Sequence, residues 1–297
     1  MFIAIALAVG LGVGLTVGRP TSDSSDNSSA PSSSATPISG DATNVPASVW
    51  KPKSGVTWQL FLQGKLSDTN NQGYDVWDID LYDNDASSIK ALQDQGSKVV
   101  CYFSAGSYED WRSDKDDFQP SDLGNGLDGW PGERWLNLNS DNVHKIMEAR
   151  MDIAVQKGCD AVDPDNVDGY NNDNGLGLTE QDSINYISFL AQAAHKRNLA
   201  IGLKNAGDII PDVLDVVQFS VNEQCLQYNE CDTFRPFIDE DKPVFHVEYP
   251  RGDSDNSNVS IASSTFNSIC DDSSSKGFSS IVKNMDLDIW IQECPSS

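Results

Sequence analysis

Short apolar runs alternate with amphipathic stretches of helical length along residues 56–284. Eight of the runs have the length and composition of buried β-strands, and several are separated by stretches with helical periodicity. Because eight strand–helix units in roughly 240 residues have the size of one closed barrel, the pattern predicts an α/β protein, a single (β/α)8 barrel of the TIM type. A doubly wound sheet is the alternative, but it usually has fewer strands at this length. The predicted strands are 57–62, 76–82, 98–104, 159–163, 199–204, 216–221, 243–249 and 278–284.

Four stretches between the strands predict helices, and two of them carry recognisable end signals. Ser140 and Thr179 are residue types that cap helix N-termini, and Gly158 follows the second stretch as a C-terminal glycine does. The long Gly- and Trp-rich segment 105–135 follows the third strand. Loops after barrel strands border the site in this fold, so we expect this segment to form a lid or a wall. The predicted helices are 86–96, 140–158, 179–198 and 262–277.

The N-terminal part of the chain differs in composition from the predicted barrel. Residues 2–18 are uncharged and apolar, and at about 1.5 Å per residue they would span about 25 Å, slightly less than a bilayer core. This predicts a signal peptide or a membrane anchor in 1–19. Residues 20–47 are rich in Ser, Thr and Pro, which predicts a disordered linker. The barrel domain is then expected at 48–297, outside the cytosol, either secreted or anchored at the cell surface.

All six cysteines lie in the predicted barrel domain. An even number without a Cys-x-x-Cys pair favours disulfides over a metal site in an exported chain. We expect Cys225 to pair with Cys231 across a short loop, and Cys270 to pair with Cys294 near the C-terminus. The sequence also contains two N-glycosylation sequons, which are meaningful only in an exported protein; they begin at Asn27 and Asn258.

The formal net charge of −25 restricts the class of partner. A nucleic acid would meet a repulsive field, so we expect no nucleic-acid binding. A cationic partner would be attracted, although an acidic surface can also serve solubility alone.

Several acids lie at the carboxyl ends of predicted strands, where barrels of this type build their active sites. The fourth strand runs into Asp163 and Asp165, the fifth into Lys204 and Asn205, and the sixth into Glu223. Hydrolysis of a glycosidic bond needs two carboxyl groups on opposite sides of that bond. Asp165 and Glu223 are placed to face each other across the mouth of the barrel. Further acids on the second and seventh strands are Asp80 and Glu248.

The five aspartates of residues 158–175 raise the alternative of a calcium loop. A twelve-residue EF-hand loop that begins at Asp163 would need Gly at position six and Glu at position twelve. The chain has Asp168 and Asn174 there, and an apolar strand precedes the loop where a helix should be. We therefore expect no metal and no organic cofactor, and we interpret Asp168 and Asp173 as residues that shape the loop. The three histidines are scattered, which gives little support to a zinc site or a catalytic triad.

Five strings of this sequence resemble glycoside hydrolase family 114, the endo-α-1,4-polygalactosaminidases, also called spherulin-4-like proteins. The resemblance covers roughly residues 56–294, and the strings after the third and fourth strands are its most specific part. It implies a (β/α)8 fold and endo-cleavage of α-1,4-linked galactosamine polymers, such as partly deacetylated galactosaminogalactan. The strings are WQLFLQG (58–64), VVCYFSAGSYEDWR (99–112), CDAVDPDNVDGY (159–170), LKN (203–205) and FSVNEQC (219–225).

The resemblance also implies roles for the candidate residues. In related barrels that act on α-galactosides, the nucleophile follows strand four and the acid/base follows strand six. Carried onto this chain, these are Asp165 and Glu223, with Asp163 as the rival for the first role. A cationic aminosugar would need acids to hold its amine and aromatic side chains to stack on its rings. The remaining substrate-binding candidates are Asp80, Asp163 and Glu248 for the amine, Tyr102, Trp130 and Tyr249 for stacking, and Lys204 and Asn205 for hydroxyl groups or charge balance.

We expect a monomer that hydrolyses its substrate with retention of configuration. This mechanism predicts a carboxyl separation of about 5–5.5 Å, whereas an inverting site would show roughly 6.5–9.5 Å. Two alternatives stay open from the sequence. One is a catalytically silent wall or matrix protein that binds aminosugar polymer, and the other is a hydrolase of a different α-linked glycan.

Overall fold

The computed structural model describes residues 45–252 and 255–295, and within them the chain folds into a nearly closed barrel. Eight parallel strands follow one another round the sheet in chain order, and a short antiparallel strand extends it. This confirms the predicted (β/α)8 class. The parallel strands are β1 (Trp58–Phe61), β2 (Val76–Asp80), β3 (Lys98–Ser104), β7 (Ala161–Asp165), β8 (Ala200–Lys204), β9 (Phe219–Glu223), β10 (Val244–Glu248) and β11 (Ser279–Lys283). A separate small sheet consists of β4 (Ser107–Glu109), β5 (Leu123–Gly126) and β6 (Glu133–Leu136), and β12 (Ile291–Glu293) pairs with β11.

The two ends of the sheet meet beside β1 and β11. The indole Nε1 of Trp58 donates to the carbonyl of Ser279 at 2.7 Å, and the Ser279 hydroxyl donates to the carbonyl of Val56 at 2.6 Å. These bonds connect the first and last parallel strands. Barrel closure removes sheet edges that would otherwise be open to pairing with other chains.

Alternation along each strand produces two apolar layers. Val100 and its inward-facing equivalents fill the barrel, while Val99 and Cys101 belong to the layer under the helices. Strands of a parallel barrel are covered on both faces, which explains why they read as nearly continuous apolar runs. The inward-facing cluster includes Trp58, Leu60, Val76, Ala161, Ala200, Phe219, Val221, Phe245, Val247 and Ile281.

The helix ends lie close to where the sequence signals placed them. Ser140 accepts hydrogen bonds from the amides of Asn142 and Val143, and Gly158 ends the same helix with a left-handed φ of 86°. Thr179 forms a capping box with Asp182. The helices are α1 (Ala86–Gln93), α2 (Asp141–Lys157), α3 (Glu180–His195), α4 (Ile210–Val213), α5 (Cys225–Tyr228), α6 (Arg235–Asp239) and α7 (Ser263–Cys270), so the first, third and fourth predicted helices end earlier than expected.

Strand β7 is displaced by two residues from its predicted position, 159–163. Its ladder with β3 runs as far as Asp165, but its ladder with β8 covers only Ala161 and Val162. Pro164 has no N–H to donate, and it lies beyond the end of the β8 ladder. The displacement makes Asp165 the last residue of the strand.

Segment 105–135 forms the small sheet, whose strands are β4 (Ser107–Glu109), β5 (Leu123–Gly126) and β6 (Glu133–Leu136) in the order β4-β6-β5. The amides of Ala105 and Gly106 both donate to the carbonyl of Asp165, at 2.8 and 2.9 Å. A Cβ on Gly106 would lie 1.6 Å from the carbonyl oxygen of Asn166, so only glycine fits there. The small sheet therefore stands directly beside the end of β7, as a wall.

Three disulfides are present among the described residues. The predicted pairs Cys225–Cys231 and Cys270–Cys294 are confirmed. The third bond joins Cys101 of β3 to Cys159, just before β7. No helix within 45–252 or 255–295 is long and apolar enough to cross a membrane. The segments predicted as signal peptide or anchor and as the first part of the linker lie outside the described residues.

We predict that removing the Cys101–Cys159 bond destabilises the barrel more than removing Cys225–Cys231. The sequence separations are 58 and 6 residues, and a longer closed loop restricts the unfolded chain more. The free energy of unfolding should fall by about 4 kcal/mol for Cys101→Ala with Cys159→Ala, and by about 2 kcal/mol for Cys225→Ala with Cys231→Ala. Denaturant titration of both double variants measures the difference. Equal losses would contradict the loop-length explanation.

Candidate active site

The carboxyl ends of three neighbouring strands bring two carboxylates and one ammonium together. Asp165 ends β7, Lys204 ends β8 and Glu223 ends β9. The Lys204 Nζ lies 3.7 Å from Asp165 Oδ2 and 3.4 Å from Glu223 Oε2. It also lies 3.7 Å from Asp163 Oδ2, on the same strand as Asp165. Because parallel strands end at the same rim, acids far apart in sequence meet around a single cation.

Asp165 is the carboxylate of this group that reaches solvent most, with 16% of its side chain exposed. Its Oδ2 accepts a hydrogen bond from the Tyr102 hydroxyl at 2.8 Å, and its Oδ1 accepts from the amide of Asn166 at 2.7 Å. Burial and the charge of Asp165 raise the pKa of Tyr102 well above its usual value, so the phenol keeps its proton and remains a donor. These two bonds fix the orientation of the Asp165 carboxylate.

Glu223 is more deeply buried than Asp165, and each of its two carboxyl oxygens accepts a hydrogen bond. The Tyr249 hydroxyl donates to Oε1 at 2.6 Å, and the Asn205 side-chain amide donates to Oε2 at 3.3 Å. The Oδ1 atom of Asn205 also accepts a hydrogen bond from the backbone amide of Glu223 at 2.9 Å. Asn205 and Ala206 both have left-handed backbones, with φ of 47° and 51°. Asparagine tolerates this conformation, but alanine adopts it at a cost, which the tertiary structure around the site must offset.

Lys204 remains charged although it is buried. Burial alone would lower its pKa, but the charges of Asp165, Glu223 and Asp163 outweigh burial and hold the pKa well above its usual value. The ammonium also lies 5.2 Å from the centre of the Tyr102 ring. The lysine thus provides a fixed positive charge between the two carboxylates at the rim.

Asp163 and Asp78 form a second carboxyl pair beneath this cation. They are 0% and 1% exposed, and none of their carboxyl oxygens has a donor group within hydrogen-bonding distance. Burial raises the pKa of Asp163 to about 7, and burial together with the charge of Asp163 raises the pKa of Asp78 well above its usual value. A proton held on one of the two carboxyl groups would let that group donate a hydrogen bond to the other.

The structure brings seven of the ten predicted site residues together and leaves three apart from them. Arg112 binds Asp80 through two hydrogen bonds, of 3.2 and 2.7 Å, so that carboxylate is already paired. Glu248 accepts from the amide of Leu226 and bonds His246, and it lies on the strand face opposite Val247 and Tyr249. Trp130 lies in the turn between β5 and β6. The residues that come together are Tyr102, Asp163, Asp165, Lys204, Asn205, Glu223 and Tyr249.

Sequence reasoning missed two acids near this group. Asp78 lies two residues before Asp80 on the same strand face, and that spacing was the available signal. Glu133 lies in the small sheet, where its Oε2 accepts from the Ser107 hydroxyl at 2.6 Å. Burial, and then the charges of Glu109 and Asp165, raise its pKa to about 8. Nothing in the sequence around Glu133 indicated this position.

An α/β barrel with two carboxylates at the carboxyl ends of its strands is suited to glycoside hydrolysis, which needs a pair of carboxyl groups. The comparisons agree, since the model of glycoside-hydrolase family GH114 matches residues 39–297. The chain therefore belongs to family GH114 and is a glycoside hydrolase, which confirms the family predicted from its sequence.

The solved structures that are similar to this chain include the following two. The crystal structure of Ega3 from Aspergillus fumigatus, in complex with galactosamine, is 56% identical with a TM-score of 0.82, and the match covers 84% of this chain and 100% of that one. The glycoside hydrolase domain of PelA from Pseudomonas aeruginosa is 13% identical with a TM-score of 0.62, covering 80% and 98%. The second likeness supports the fold alone. None of the curated proteins is similar enough to this chain to count as a match.

The raised pKa of Glu133 predicts a pH dependence of stability. The folded protein keeps a proton on this carboxyl that the unfolded chain loses above its ordinary value of 4.5. The contribution of Glu133 to the free energy of unfolding should therefore decrease as the pH rises from 4.5 to about 8. Glu133→Gln removes this dependence. The free energy of unfolding of the variant, relative to that of the parent, should therefore increase by about 1 kcal/mol per pH unit across that range.

Denaturant titrations at several pH values measure this difference. Glu240→Gln, at an exposed position, is the matched control and should run parallel to the parent. If the Glu133→Gln curve also ran parallel to the parent, Glu133 would not hold a proton in the folded state.

Proposed function

We propose that this chain is an endo-acting hydrolase of α-1,4-linked galactosamine polymers such as partly deacetylated galactosaminogalactan. The observation that carries the proposal is the arrangement of Asp165 and Glu223 around the Lys204 ammonium at the open end of the barrel. Family membership supports glycoside hydrolysis, and the complex of the similar protein Ega3 with galactosamine supports an aminosugar substrate. The net charge of −25 is suited to a cationic polymer.

In the proposed mechanism Asp165 is the nucleophile and Glu223 is the acid/base. Glu223 gives a proton to the leaving oxygen while Asp165 attacks the anomeric carbon, which forms a covalent glycosyl-enzyme. Water then attacks that carbon, Glu223 takes up a proton from the water, and Asp165 leaves. The exposure of Asp165 and the full burial of Asp163 support this choice between the two aspartates.

The spacing of the two carboxylates is compatible with retention of configuration, which we propose. Both contact the same ammonium, so their nearest oxygens lie no more than about 7 Å apart, the sum of the two contact distances. That limit accommodates the 5–5.5 Å of a retaining pair and also the lower end of the 6.5–9.5 Å range of an inverting pair. Measurement of the anomer released first, by NMR, decides the stereochemistry.

The roles of the surrounding residues follow from their hydrogen bonds. Tyr102 steadies the nucleophile, and Tyr249 and Asn205 orient the acid/base. The Lys204 ammonium, 3.7 Å from Asp165 Oδ2 and 3.4 Å from Glu223 Oε2, is proposed to offset negative charge at the rim. Trp130 is proposed to stack on a sugar ring from the small sheet.

We further propose that the protein acts as a monomer outside the cytosol, either secreted or anchored through residues 2–18. The three disulfides support this location, because such bonds persist in oxidising compartments. Asn258, which begins one of the sequons, is exposed and accessible to glycosylation.

We predict that Asp165→Asn and Glu223→Gln each lower kcat on deacetylated galactosaminogalactan by about 10²–10⁴-fold, since each removes a group that takes part in bond cleavage. Mass spectrometry of the released oligosaccharides measures this loss. Asp173→Asn and Glu240→Gln make the same chemical changes at exposed positions and should match the parent enzyme. Release of oligosaccharides by the double variant of Asp165 and Glu223 would refute the assignment.

The same assay separates the two alternative functions. A silent aminosugar-binding protein would bind the polymer without cleavage by the parent chain. A hydrolase of another α-linked glycan would cleave that glycan in preference to the galactosamine polymer, and its activity would not require free amines.

A further inference from the structure

The carboxylates predicted from the sequence to bind a sugar amine are either paired with other protein groups or inaccessible to solvent. Asp80 is paired with Arg112, and Glu248 is bound to His246 and to a backbone amide. Asp163 has 0% exposure, below Lys204 and Asp165. If the substrate is an aminosugar polymer, as proposed above, its ammonium groups need a different partner.

Asp168 differs from these acids because its carboxylate is not committed to another side chain. Among the residues that the structure describes, its carboxylate forms no ion pair and no hydrogen bond with another side chain. It stands at the start of a short turn of 3₁₀ helix, but its side chain does not cap that turn. The backbone carbonyl of Asp168 accepts hydrogen bonds from the Asn171 amide at 3.0 Å and from the Asn172 side chain at 3.2 Å, so the main chain of this residue shapes the loop while its carboxylate takes no part in these bonds.

The position of Asp168 is set by the chain on either side of it. Asn166 has a left-handed backbone with φ of 61°, which turns the chain just after the nucleophile strand. Val167 is then buried, and its carbonyl accepts from the Ser183 hydroxyl at 2.6 Å. Asp168 follows as a half-buried residue, three positions after Asp165, at the rim of the barrel. A short, fixed connection to β7 keeps its carboxylate near the site.

The electrostatics show that Asp168 shares the field of the two rim carboxylates. Burial, followed by the charges of Asp165 and Glu223, raises the pKa of Asp168 to about 6. The charge of Lys204 lowers the pKa of Asp168, but by less than burial and the charge of Asp165 raise it. The site therefore has more negative charge than its own lysine can balance, and a second cation would be stabilised at Asp168.

We propose that Asp168 is a specificity-determining residue that binds the ammonium group of the galactosamine unit at the cleavage site. A charge-assisted hydrogen bond from this ammonium to the Asp168 carboxylate would distinguish a free amine from an acetamide, which carries no charge. The inference rests on the proposed function for its substrate class. It assigns no step of bond cleavage to Asp168.

Asp168→Asn tests this role, since it keeps the shape of the side chain and removes its charge. We expect KM on deacetylated polymer to rise about 10- to 100-fold, with a smaller effect on kcat, because hydrogen bonds to charged groups contribute more than neutral ones. The parent should bind galactosamine more tightly than N-acetylgalactosamine in titration calorimetry, and the variant should lose that preference. Asp168→Glu should restore part of it, and Asp173→Asn, five residues further along the loop, should behave as the parent.

The pH profile provides a readout that a purely structural role would not change. Galactosamine binding by the parent should strengthen as the pH rises through about 6, where Asp168 loses its proton, and the variant should lack this rise. Thermal unfolding of each variant verifies that it is folded. An unchanged KM, preference and pH profile in folded Asp168→Asn would overturn the inference.

The failure of this inference can be distinguished from failure of the proposed function. If the parent cleaves the deacetylated polymer while Asp168→Asn keeps the parent's KM and preference, only the role of Asp168 is wrong. If the parent cleaves nothing, the hydrolase proposal is wrong, and the binding preference for galactosamine still tests Asp168.

Discussion

The Lys204 ammonium is the charge on which the site depends. A buried lysine would ordinarily lose its proton, and three carboxylates this close would ordinarily repel one another. The attraction between the ammonium and the carboxylates offsets both the burial of the lysine and the repulsion among the acids, because the ammonium lies within 3.7 Å of Asp163, Asp165 and Glu223. Removing either partner would leave an uncompensated buried charge, which is strongly unfavourable. The barrel must therefore hold β7, β8 and β9 in one register for the site to exist.

A second set of buried charges holds the small sheet against the barrel. Arg112 pairs with Glu109 of β4 and with Asp80 at the end of β2. Arg150, on α2, pairs with Asp114 and donates to the carbonyl of Ser104 at the end of β3. Both guanidinium groups also lie over the ring of Tyr82, at 4.7 and 5.6 Å. These pairs explain why a segment rich in glycine and polar residues stands as an ordered wall beside Asp165.

The two charge clusters divide the acids of the rim into different tasks. Asp80 and Glu109 serve the wall, Asp163 and Asp78 support the lysine from below, and Asp165 and Glu223 are left at the opening. An acid that already has a cation, or that has no exposure, is not free to receive a cationic sugar. This division directs attention to Asp168, whose carboxylate has neither a cation of its own nor full burial.

Much of the fold was determined by local features of the sequence. The alternation of strands and helices depends on periodicity, and the ends of α2 and α3 depend on Ser140, Gly158 and Thr179, which act through neighbouring backbone groups. The placement of Asp165 and Glu223 at strand ends follows from the same pattern, because parallel strands present their carboxyl ends at one rim. Only the tertiary structure decided which acids remain available. The pairing of Asp80 with Arg112 and of Cys101 with Cys159 joins residues 32 and 58 positions apart, and such contacts depend on packing that no local pattern encodes.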